Sequence, residues 1–189
     1  MMKNKSTLAK LLSNEDINVV HKQMDTAYFN SKSRELGLPI WKDEEMTKDI
    51  YDLMVCHEIG HALWTPLDML EKSSVRKLNH GVVNIIEDAR IERKMKARYP
   101  GLRRSFYNGY QELFEKNFFG VKGMDVNKLN YIDRINLHAK VGSFLNVKFS
   151  DEEQAIVNRL DGLDTWEDVV ALASELYERA ENSTEELDF

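Results

Sequence analysis

Apolar positions recur at helical spacing along most of this chain, and a short β-prone stretch near the start is the exception. Residues 1–24 read as a weakly amphipathic helix with Leu8, Leu11, Leu12, Ile17, Val19 and Val20 as its apolar members, interrupted at Asn14-Glu15-Asp16. Thr26 to Phe29 and Arg34 to Trp41 are two β-prone runs around a polar turn, which predicts a hairpin with Pro39 at an edge or strand end. Such an edge can add an extended peptide as a further strand, or simply cover one side of the core.

The pattern next predicts a helix over Thr47–Trp64, with Asp43, Glu44 and Glu45 near its positive end and Pro66 stopping it. One stripe holds Ile50, Met54, His57 and His61, and the opposite one holds Tyr51, Val55, Ile59 and Ala62. Apolar residues on both sides make it buried nearly all round. Gly60 costs about 1 kcal/mol in a helix interior relative to Ala, which points to close approach of another backbone.

A further helix is predicted to start at Ser73 or Ser74, to break near Gly81 and to run on from Val82 to Met95. Val82, Ile85, Ile86 and Ala89 form its apolar stripe, while His80, Asn84, Glu87, Asp88 and Ile91 form another. Helices follow from Leu102 to about Phe118, from about Val126 to Val141, from a capping box at Ser150–Glu153, and from Asp164 to Glu181. Trp166, Val169, Val170, Ala173 and Leu176 give the last its core stripe.

These elements predict a mostly helical α+β fold in one domain. Its parts are an N-terminal helix (1–24), a hairpin or small sheet with two helices that carry chemistry (25–104), a helical part (105–182) and a frayed tail (183–189).

Composition narrows the class. At 189 residues and 42% hydrophobic, the chain can bury one core. Charged residues make up 31%, and mean hydropathy is −0.50, as in soluble globular proteins. No apolar run approaches membrane-spanning length, and the amino terminus lacks a signal-peptide core, so a cytoplasmic location is expected. The single cysteine excludes an internal disulfide and fits a reducing compartment. A net charge of −6 argues against a dedicated nucleic-acid binder. Residues 90–104 carry seven Lys/Arg against one Glu, which reads as a solvated face near a helix C-terminus.

The chemistry sits in Cys56-His57-Glu58-Ile59-Gly60-His61, an H-E-x-x-H pattern within the buried helix. Chance supplies such a pattern in about one chain in a hundred of this composition. His57 and His61 stand one turn apart on one face, so both imidazoles can reach one ion. Glu58 can then act as general base on a water held by that ion. Cys56 points about 100° away from His57 and reads as a small buried hydrophobe. His21, among Lys22 and Gln23, reads as solvated.

A hydrolytic zinc site needs three protein ligands and an open position. In the longer H-E-x-x-H-x-x-G-x-x-H motif, Trp64 would replace the glycine and Leu67 the third histidine, so that class is excluded. A carboxylate from a later helix remains, and Glu87 is the best placed. Two adjacent carboxylates on an apolar helix need a positive partner, either Arg90 or a metal. The longer Glu87 side chain bridges two packed helices more easily than Asp88. Asp88 is then expected to accept the outer N–H of a ligating histidine, with His80 toward the rim of the site and Asn84 a further candidate to support the ligands or the transition state.

With HEIGH as the first ligand helix and NIIEDARIE as the glutamate helix, the sequence resembles the gluzincin type of zincin metallopeptidases. Leu38 to Arg104 is also similar to the metallopeptidase-like module of phage-encoded proteins that often carry a von Willebrand A domain. The E-D-A-R-I-E segment is similar to the cobaltochelatase T subunit. These resemblances imply a zincin-like fold, one zinc per chain, a protein or peptide substrate, host cytoplasm for a phage product, and a von Willebrand A domain or AAA+ protein as candidate partners.

The expectation is therefore a zinc endopeptidase with His57, His61 and Glu87 as ligands and Glu58 as base, and with His138, Tyr107 or Tyr110 as oxyanion donor. Its rivals are a metal-binding interaction module without catalysis, like a chelatase subunit, and a helical adaptor with an accidental motif. A purely structural site has no use for Glu58.

Overall fold

The computed structural model describes residues 7–24, 27–30, 32–40, 46–66 and 80–183. It is mostly helical, with one three-stranded sheet near the N-terminus, as the sequence pattern predicts. No helix among the described residues is long and apolar enough to cross a membrane.

Helix α1 spans Thr7–Asn14, and the expected continuation to residue 24 is corrected: Asn18–Lys22 is strand β1. Asp16 takes a left-handed φ of 52° just past the helix, where Asp is better tolerated than most residues. The run Ile17, Val19, Val20 is then β-branched, which favours a strand over another helical turn.

Strands β2 (Tyr28–Asn30) and β3 (Glu35–Pro39) form the expected antiparallel pair, and β1 joins parallel to β3 on its other side. Tyr28 pairs with Gly37, and a Cβ on Gly37 would fall 2.0 Å from the Tyr28 ring, so only glycine admits that ring. Pro39 ends the central strand, and Ile40 N–H donates to the Lys22 carbonyl one step beyond it.

Helix α2 (Lys48–Trp64) has the expected bounds. Thr47 caps it by accepting from Ile50 N–H, and only Lys48 among its residues is exposed. Helix α3 spans His80–Arg98; Gly81 lies within its first turn rather than at a break, and the start expected at Ser73 or Ser74 falls outside the described residues.

Helix α4 (Leu102–Glu115) ends a turn early, where Asn117 adopts a φ of 58°. The helix expected over 126–141 is split into a 3-10 turn at Val126–Lys128 and α5 at Tyr131–Val141, because Asn130 caps α5 by accepting from Asp133 N–H at 2.8 Å. Helices α6 (Asp151–Arg159) and α7 (Trp166–Ser183) follow. Of the frayed tail, residues 184–189 lie outside the described residues.

Two apolar clusters meet along α3. Leu36, Ile50, Ile59, Met95 and Phe106 belong to the cluster under the sheet, α2 and α4. Val82, Val83, Ile86, Ile135, Val169 and Leu172 belong to the one beneath α5 to α7. The charged middle of α3 is thereby held inside protein, between α2 and the C-terminal helices.

The capping box of α6 also ties it to α5. Glu153 accepts from Ser150 N–H at 3.0 Å, while the two outer guanidinium nitrogens of Arg134 donate to its two oxygens at 2.8 and 2.9 Å. Hydrogen bonding from Arg134 holds the Glu153 carboxyl below its ordinary value of 4.5. A carboxyl that ionises more readily when folded contributes stability above the unfolded value and loses it as pH falls. Glu153→Gln is therefore expected to cost about 1 kcal/mol at pH 7, a figure kept low because the pair is partly hydrated. The gap to wild type in urea melts should shrink below pH 4.5; a gap constant with pH would contradict the ionic origin.

Candidate metal centre

Helices α2 and α3 run antiparallel, so their one-turn pairs meet in reverse order: His61 faces Asp88, and His57 faces Glu92. His57 Nε2 lies 3.2 Å from His61 Nε2, and Asp88 Oδ1 lies 2.9 Å from His61 Nε2 and 3.5 Å from His57 Nε2. This half-buried group of His57, His61 and Asp88 can hold a metal ion. Ligands about 2.0–2.1 Å from a tetrahedral ion stand about 3.3 Å apart, so the three edges match one face of such a tetrahedron.

The outer ring nitrogens support the same tautomers. Glu92 is a buried carboxylate that can only accept, so His57 Nδ1–H donates to its Oε1 at 2.8 Å. Tyr110 donates its hydroxyl to the same oxygen. Thr65 donates to Glu87 Oε1 at 2.9 Å, so its oxygen is free to accept His61 Nδ1–H at 2.8 Å. Both outer protons are committed, and both Nε2 lone pairs turn inward toward a carboxylate oxygen. Three acceptors facing one another require a cation or a proton between them.

Without such an ion, burial pulls the His57 imidazole down, and Glu92, Asp88 and Glu58 outweigh it and hold it up to about 9. Burial pushes the Asp88 carboxyl up, and His61, His57 and Lys140 outweigh it and hold it down to about 2. Tyr110 is pushed well above 10, first by burial and then by the charge on Glu92, so it stays a donor.

Glu87, expected to join the histidines as a ligand, is not part of the group that the structure brings together. Glu87 is fully buried and is held by Arg90, through Nε at 3.1 Å and an outer nitrogen at 2.6 Å. Arg90 also donates to the carbonyls of Trp64 and Asp164, each at 2.9 Å, which makes it a strut between α2, α3 and the start of α7. The residue read as part of a solvated basic face is therefore buried, whereas Arg98, Arg103 and Arg104 are exposed.

In the structure it is Asp88, not Glu87, that stands with the two histidines, and the same pair of helices meets at Gly60. A Cβ there would sit 2.8 Å from Ile91 Cδ1, so it is a side chain of α3, not a backbone, that uses the gap. Asp88, one turn before Glu92 on the same helix, reaches His61 directly.

Glu58 lines a cavity of about 160 Å³ together with His57, Asp88, Tyr110 and Lys140, and Leu53, Met54, Leu113, Phe118 and Phe119 form its apolar wall. Of the other expected site residues, only Tyr110 enters. His80 and Asn84 are exposed near the start of α3, about two turns and one turn before Asp88. His138 is exposed with its ring edge-on to Phe149, and Tyr107 is exposed against Phe144. His21 is exposed as expected, stacked on Tyr51. Cys56 is buried, and burial pushes its thiol up, away from ligating form.

Three further residues contact the group: Glu92, Thr65 and Lys140. Glu92 follows Asp88 by one turn and Thr65 follows His61 by one turn, so helical spacing contained both signals. Lys140 arrives from α5, and no spacing rule connects it to α2 or α3. Compared with known protein families, curated proteins and solved structures, the chain matches none.

Proposed function

We propose that this protein is a zinc-dependent peptidase. The carrying observation is the convergence of two imidazole Nε2 atoms and one carboxylate oxygen on a tetrahedral face, beside a cavity that also receives Glu58. Two nitrogens and one oxygen suit zinc, and three protein ligands leave one position for chemistry. His57, His61 and Asp88 would hold the zinc ion, which would supply Lewis acidity toward a carbonyl and toward water. Glu58 takes the proton and hands it to the leaving amine, so one carboxylate serves as base and then as acid. Glu92 and Thr65 hold the two imidazoles in the orientation and tautomer that ligation needs. Tyr110 is committed to Glu92 and orients that carboxylate rather than the substrate.

The purified protein is expected to carry close to one zinc per chain by elemental analysis. Chelation should lower its thermal midpoint, because binding to the folded state alone adds to its stability. Zinc-loaded protein should cleave peptides in a mixed library read by mass spectrometry, and chelated protein should not. Metal-free protein whose melt ignores chelator ends the reading; zinc without cleavage points instead to a metal-holding interaction module.

A further inference from the structure

The Asp88 carboxylate is shared between two sets of partners. Oδ1 faces the histidines, while Oδ2 accepts from Lys140 Nζ at 3.1 Å. Lys140 is on α5, its side chain is 15% exposed, and it lines the same cavity as Glu58. A lysine so enclosed beside the apolar wall of Leu113 and Phe119 is costly to bury without a use for its charge. A carboxylate free at both oxygens can close on an ion with both of them, and the second oxygen would then take the position the reaction needs.

We propose that Lys140 is a positioning residue: by holding Oδ2, its ammonium confines Asp88 to ligation through Oδ1 and keeps a coordination position open on the cavity side, next to Glu58. The inference rests on the metal-centre reading above. It differs from simple charge neutralisation in what it demands of the geometry. A neutralising lysine affects stability and affinity, whereas a lysine that sets the number of ligating oxygens also affects coordination number.

The test is the visible spectrum of cobalt(II)-loaded protein, whose ligand-field bands are intense in four-coordinate sites and weak in sites with more ligands. Wild type, Lys140→Met, Lys140→Leu and Lys140→Arg are compared at measured cobalt content, with circular dichroism checking the fold of each. Wild type is expected to show the intense bands. Lys140→Met and Lys140→Leu, which have no donor for Oδ2, should keep about one cobalt per chain while the bands weaken several-fold, as the second oxygen joins. Either variant suffices should the other fail to fold. Lys140→Arg, which keeps an N–H donor for Oδ2, should restore the intensity. Wild-type spectra in cobalt-loaded Lys140→Met or Lys140→Leu overturn the role of Lys140 and leave the centre standing. Wild type that takes up neither cobalt nor zinc overturns the centre, and this inference with it.

Discussion

Glu58→Gln should lower peptidase turnover by about 10³-fold while leaving zinc content near that of wild type. Glu58 lies beside His57 on α2 and lines the cavity, but it is not among the three groups that converge on the ion site. Glutamine keeps its length and shape and removes the group that can accept a proton. The loss should fall on kcat rather than KM, because proton transfer belongs to the transition state and not to binding of the ground state. Single-turnover rates with one cleaved peptide, measured alongside elemental analysis, separate the two quantities. Equal turnover in variant and wild type would mean a contaminating activity or a different base. Loss of zinc along with activity would place Glu58 among the ligands instead.

Periodicity made most of the scaffold legible. The bounds of α2, its Thr47 cap and the α6 capping box follow from short-range chemistry, in which each cap or stripe is written within a few residues of the element it governs. The β1 strand was missed because its apolar residues fit a helical stripe, and its parallel partner β3 lies 17 residues further on. The site divided along the same line. His57 and His61 stand one turn apart on one helix, so their meeting was readable, as was the place of Glu58 beside them. Which of Glu87 and Asp88 stands with the histidines depends on how α2 and α3 are rotated and spaced, a tertiary property: in the structure Glu87 is turned to Arg90 while Asp88 reaches His61. Side-chain length alone, which favours the longer residue at ordinary interhelical spacing, does not fix that rotation. Lys140 depends on the docking of α5, a contact 52 residues distant in sequence from Asp88.

With Asp88 rather than Glu87 beside the histidines, two neighbouring substitutions should have opposite outcomes. Asp88→Ala removes a converging oxygen and should leave a folded protein whose zinc affinity falls by more than the about 10–100-fold typical of outer partners. Its thermal midpoint should no longer respond to chelator. Glu87→Ala keeps both histidines and Asp88, and so should still bind zinc once folded. Its cost lies elsewhere: Arg90 is 3% exposed, and without Glu87 its hydrogen bonds among the described residues are those to two backbone carbonyls. Breaking a buried pair by removing one partner costs about 3–5 kcal/mol, and the remaining carbonyls place this case toward the lower end. For a chain of this size that corresponds to a thermal midpoint lower by roughly 6–12 °C. Thr65 would also lose the acceptor that fixes its hydroxyl, which loosens His61 and weakens zinc binding by a smaller factor than Asp88→Ala does. Paired measurements of zinc affinity and melting for the two variants decide the assignment. A Glu87→Ala protein that melts like wild type yet holds no zinc would restore Glu87 as the third ligand, and would mean that Asp88 turns away when the ion binds.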